Sequence, residues 1–98
     1  MRIGADDLEV LVREVVNNGD VEVLGLSRSV LGMIEIATQW HKEAVTESAI
    51  ADTFLHELLH VISANMGIGL RERQIVGIAG GLLMVIRDND LDFRVERI

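Results

Sequence analysis

The spacing of apolar and polar positions changes along the chain and divides it into a sheet-forming front and a helical back. Residues 8–16, Leu-Glu-Val-Leu-Val-Arg-Glu-Val-Val, fit two periods at once. Leu8, Leu11, Val12 and Val15 make a helical stripe, and Asp6 with Glu9 fits a capping box ahead of it. The valines favour a strand, because a branched Cβ is restricted in a helix and packs well on a pleated surface. We read the stretch as a strand. Asn17-Asn18-Gly19-Asp20 has the composition of a turn. Residues 21–28 read as a second strand, since Val21 and Val23 alternate with Glu22. Within it, Gly25 marks a bulge or a close approach. Residues 31–37, Leu-Gly-Met-Ile-Glu-Ile-Ala, read as a third strand. The short join through Ser27-Arg28-Ser29-Val30 makes these two an antiparallel hairpin. Thr38 to Val45 reads as a connecting loop.

From there the period is helical. Thr46 or Ser48 can cap a helix running from about Glu47 to about Asn65, with Glu47 favourable in its first turn. It stops near Met66-Gly67. Ile50, Phe54, Leu58, Val61 and Ile62 line a core side, while His56, His60 and Ser63 line another, with Ala49 and Thr53 before them. Gly67-Ile68-Gly69 is a tight connection. Residues 71–87 form a second helix, with Ile75, Ile78, Ala79, Leu82 and Ile86 in register. Gly77, Gly80 and Gly81 each cost this helix about 1 kcal/mol relative to Ala. The expected reason is close packing against a neighbour. Asp88-Asn89-Asp90 ends the helix, and Leu91 to Ile98 reads as a tail or a short extra strand. The pattern predicts one α+β domain over residues 1–98. A small antiparallel sheet of about three strands, within residues 8–37, packs on helix 47–65 and helix 71–87.

Composition narrows the picture. Hydrophobic residues are 49% of the 98, enough for a core, while aromatics are 3%. The core must therefore be aliphatic. Nine basic against sixteen acidic residues give a formal charge of −7, which disfavours nucleic-acid binding, a task for cationic surface. There is no cysteine, so disulfides and thiolate metal sites are excluded. Ala5-Asp6-Asp7 follows Met1-Arg2-Ile3-Gly4 where a signal peptide would be apolar. The apolar runs fall far short of a membrane span. The expectation is a soluble cytoplasmic protein with no membrane or nucleic-acid partner.

The chemistry is concentrated in His56-Glu57-Leu58-Leu59-His60, an HExxH motif that takes two of the three histidines in the chain. On a helix, histidines four apart lie one turn up the same face, so two imidazoles can hold one metal ion. Glu57 stands beside the first ligand, where its carboxylate can act as general base on a water. These are parts a zinc peptidase needs, together with an open coordination position. The competing reading is a buried amphipathic helix with two hydrogen-bonded histidines. A third ligand can come from two places. His41 is the remaining histidine, in the preceding loop. Glu72 lies twelve residues after His60, and a Gly-containing turn would fold it back toward the motif. The position six after His60, used for a third histidine in some zinc peptidases, is Met66. No Tyr is present to stabilise an oxyanion. His41 is a candidate for that role, and Asp52, one turn before His56, a candidate to orient its imidazole. Trp40, the sole Trp, invites a binding role by its loop position, against the commoner explanation of a core or hinge anchor.

His56-Glu57-Leu58-Leu59-His60, then Glu72, Ala79 and Leu82-Leu83, resembles the ImmA/IrrE-type zinc metallopeptidases, a zincin family. There a glutamate seven residues before an alanine, and ten and eleven before a Leu-Leu pair, is the third zinc ligand. The chain looks most like the very small zinc-peptidase-like proteins of phages and prophages. It shares with them Leu24-Gly25-Leu26, Gly32-Met33-Ile34-Glu35-Ile36, the stretch Leu55 to His60 and Arg87-Asp88-Asn89. The resemblance covers most of the chain beyond about residue 20. It implies a minimal zincin-like domain, Zn2+ held by His56, His60 and Glu72, Glu57 as general base, and a peptide or protein substrate. Longer family members have extra segments that help form a substrate cleft, and this chain has little beyond the metal-binding core. Two further readings therefore stand beside a peptidase. One is a non-catalytic zincin-fold module that binds a protein partner or assembles in a phage-related complex. The other is a small helical interaction module without metal.

Overall fold

A computed structural model describes residues 2–3, 6–28 and 31–89, with side chains described from Leu8 onward. Nine short strands precede two helices among these residues. β1 (Arg2–Ile3) and β2 (Asp6–Asp7) pair antiparallel. β3 (Glu9–Arg13) carries the strand reading of the ambiguous Val-rich stretch. That stretch does not continue as one strand. β4 (Val16–Asn18) begins a separate antiparallel hairpin with β5 (Val21–Val23), turning at Gly19-Asp20, with Gly19 at φ 66°. The second expected strand is likewise divided at Leu24. β5 belongs to that hairpin, and β6 (Gly25–Arg28) joins the main sheet.

The main sheet has the order β3-β7-β6, where β7 is Met33–Ala37. β6 and β7 pair antiparallel, as the hairpin reading expects. β3 and β7 pair parallel, Glu9 beside Met33 through Arg13 beside Ala37. The sheet is thus mixed where an antiparallel one was expected. The physical reason lies in β7, the most apolar strand. Its Ile34, Ile36 and Ala37 are all buried, and the centre of the sheet gives such a strand partners on both sides. Arg13 and Glu35 meet at 3.2 Å across the β3–β7 pair.

Residues 38–45 are not a plain loop. β8 (Gln39–Trp40) and β9 (Glu43–Ala44) form a tiny hairpin with His41-Lys42 at its tip, at φ 50° and 69°. Positive φ at both central residues is the geometry of the tight turn that matches strand twist. Its usual sequence is Asn-Gly or Asp-Gly, so nothing in His-Lys announces it.

α1 (Glu47–Met66) starts where expected: Thr46 caps it, its side chain accepting from the Ala49 N–H at 3.2 Å. Gly67 ends it in the left-handed conformation. α1 lies on the face of the sheet that presents Ile34 and Ile36. Leu8, Ile34, Ile36 and Val61 are the buried centre, and Val10, Ile50, Phe54 and Leu58 pack around it. The aliphatic core expected from composition is therefore present. α2 (Glu72–Asp88) packs on α1 and buries Ile75 and Ala79. Ile78 and Leu82, from the same predicted stripe, stay 41% exposed.

The glycines of α2 overturn the close-packing expectation. A Cβ placed on Gly77, Gly80 or Gly81 would meet nothing within 4 Å. They face open space among the described residues. No described helix is long and apolar enough to cross a membrane. The tail-or-strand reading of Leu91–Ile98 lies outside the described residues.

Candidate metal centre

α1 carries His56 and His60 on consecutive turns, and its C-terminus decides where the chain goes next. The Gly67 and Ile68 N–H groups both donate to the Ser63 carbonyl. Gly67 and Gly69 supply two left-handed residues, φ 64° and 71°, which a side chain would resist. The Leu70 N–H donates to Ser63 Oγ at 2.8 Å. Ser63, 8% exposed, thus holds the turn from both its backbone and its side chain. The Arg71 N–H donates to Gln74 Oε1 at 2.9 Å and closes the first turn of α2. Glu72, the first residue of that helix, is delivered back to the motif.

There Glu72 spans the two imidazoles. His56 Nε2 lies 2.7 Å from Glu72 Oε1, and His60 Nε2 lies 2.9 Å from Glu72 Oε2. The two Nε2 atoms are 3.2 Å apart, with the rings edge to face at 61°. His56, His60 and Glu72 form a group that can hold a metal ion. Bonds of about 2.0–2.1 Å at tetrahedral angles put donor atoms roughly 3.3 Å apart. The observed triangle is slightly smaller than that, and small rotamer adjustments would open it. The side chains are 22%, 35% and 62% exposed, so the group is reachable from solvent.

Glu57 lines, together with His56, a cleft of about 350 Å³ between α1 and the β5–β6 stretch. Gly25 explains how the strand comes so close. A Cβ there would run into Thr53 Cγ2 and stand 3.2 Å from Glu57 Cγ. Here the close-approach reading of a glycine holds. Asp52 is exposed and lines the same cleft. No hydrogen bond joins it to His56. His41 stands apart from the three donors. It sits at the tip of the β8–β9 hairpin, its N–H donating to the Glu22 carboxylate and its ring stacked edgewise on Trp40. The structure brings His56, His60 and Glu72 together, sets Glu57 and Asp52 with His56 in the adjoining cleft, and leaves His41 outside both groups, against Glu22 and Trp40.

Two contributors carry no signal of their role in the sequence: Ser63 lies on the chemical face of α1, and Glu22 alternates with Val21 and Val23 in a strand. A serine seven residues before the second helix carries no local signal of its contact with Leu70. Comparison with protein-family models, curated proteins and solved structures returns no match.

Proposed function

We propose that this chain is a small zinc-dependent peptidase in which His56, His60 and Glu72 hold the metal and Glu57 is the general base. The observation that carries the reading is the convergence of two imidazole nitrogens on one carboxylate, with the HExxH glutamate facing an adjacent cleft. Two neutral nitrogens and one carboxylate are a donor set typical of catalytic zinc, which keeps a position open. A bound zinc ion would supply charge for a polarised carbonyl and lower the pKa of its water. Glu57 takes the proton of the attacking water and passes it to the leaving amine. Gly25 lets that carboxylate and the strand share one cleft. An extended peptide can lie along β6, the edge strand beside α1, by main-chain pairing. Residues 31–37 hold the interior strand β7, whose edges are both occupied, so they offer no place for that pairing.

The test is metal analysis of the purified protein beside His56→Ala and Glu72→Ala, together with peptide cleavage by Glu57→Gln. The expected result is one zinc per chain, lost in the first two variants and retained in the third, with cleavage abolished in all three. Full cleavage by Glu57→Gln would refute the mechanism.

A binding role without turnover is the second reading, and the outer side of α2 favours it. Val76, Met84 and Val85 are 55%, 55% and 52% exposed there, beside glycines that leave room for a partner. A partner retained equally by wild type and Glu57→Gln, with no cleavage of a broad peptide library, would decide for it.

A further inference from the structure

The cleft shared by Glu57 and His56 combines three kinds of wall. Val23 and Leu24 form an apolar side, Trp40 adds an aromatic face, and Glu22, Asp52 and Glu57 supply three carboxylates. Among the described residues, no Lys or Arg lines it. Trp40 is 45% exposed, a large surface for the sole Trp of an aliphatic protein. It is also held in place. The His41 N–H that follows it donates to Glu22, tying the hairpin tip to β5. The hairpin keeps this shape despite positive φ at His41 and Lys42. A side chain with an apolar stem and a cationic head matches all three features. The stem covers Val23 and Leu24, the head meets carboxylates, and the indole face attracts a cation.

We propose that this cleft receives the Lys or Arg side chain of a peptide at a position next to the bond presented to Glu57. The placement relative to a scissile bond rests on the peptidase reading; the recognition of the cation does not. A volume of about 350 Å³ accommodates one such side chain with part of its main chain. The overall charge of −7 also draws basic peptides toward the protein.

Trp40 is the probe of its own site. Its emission is followed while a blocked Ala-Arg-Ala tripeptide is added to the full chain, both metal-free and zinc-loaded. The expected result is a saturable change in both forms. The neutral citrulline isostere of the same tripeptide should bind roughly tenfold more weakly, the loss expected when a charged contact becomes a neutral one. Agmatine, which carries the guanidinium without a peptide, should also bind more weakly; equal binding would make the site one for small cations. Asp52→Asn, on an exposed helix position, and Glu22→Gln, which keeps an acceptor for the His41 N–H, should each weaken the Arg peptide several-fold and leave the citrulline peptide unchanged. Equal affinity for the Arg and citrulline peptides, or no loss in either variant, would overturn the proposal. Arg-peptide binding by a chain that cleaves nothing would leave it standing and remove the peptidase reading.

Discussion

Ser63 shows how the placing of a candidate metal ligand depends on a residue outside the donor group. Its hydroxyl accepts the Leu70 N–H and its carbonyl accepts two more, so three hydrogen bonds set the course of the chain from His60 to Glu72. Ser63→Ala leaves the Leu70 N–H without its partner in a part-buried turn, at a cost of about 1–2 kcal/mol. Glu72 then loses its fixed origin, and metal affinity is expected to fall about tenfold, as with other residues that orient ligands. Urea melts and a zinc titration read the two effects. Unchanged affinity would show that Glu72 finds the imidazoles without this turn. Gly25 makes the complementary case. Gly25→Ala forces a methyl into Thr53 and Glu57, and overpacking of this kind costs about 1–3 kcal/mol. A melting midpoint equal to wild type would mean that β6 moves away freely. At this scale the metal donors were legible, because HExxH fixes two of them by helical spacing alone. Ser63 and Glu22 were not, since a contact made across a turn or between hairpins leaves no periodic mark.

Elements were legible in proportion to their local signals. α1 has Thr46 at one end, Gly67 at the other and an apolar stripe between them, and it forms over nearly the expected residues. The β8–β9 hairpin has no such signal, because tertiary contacts such as that between His41 and Glu22 hold His-Lys in a turn usually made by Asn-Gly. The glycines of α2 mislead in the opposite direction. Small residues in a helix imply a close neighbour, yet open space surrounds Gly77 and Gly81. Both positions are helical and exposed, so the glycines only add freedom to the unfolded chain. Gly77→Ala and Gly81→Ala should each stabilise the protein by about 0.5–1 kcal/mol, measured as a higher urea midpoint at constant slope. A loss of stability in either variant would reveal a partner for that face, and the close-packing explanation would return with it.

The whole molecule joins two parts with different needs. The central cluster is Leu8, Ile34 and Ile36 under Val61, and α2 adds the buried Ile75 and Ala79 against α1. The candidate metal-binding group lies on another side of α1, where it links the two helices and is open to solvent. The mixed sheet order could not be read from the sequence, because local pattern identifies strands but not which one takes the centre. The separation of core and donors has a consequence for metal removal. A structural zinc domain unfolds when chelated, because its metal stands in for a core. Here the core is complete without the metal, so the chelated protein should keep a single cooperative unfolding transition. Adding zinc should raise its stability by linkage, by about 2.7 kcal/mol at a free concentration one hundred times Kd. His60→Ala should abolish that gain while keeping the cooperative transition. Urea unfolding of the chelated, zinc-loaded and His60→Ala proteins distinguishes the cases. Loss of cooperativity on chelation alone would make the metal part of the fold, and Glu72 would then serve chiefly to hold α2 against α1.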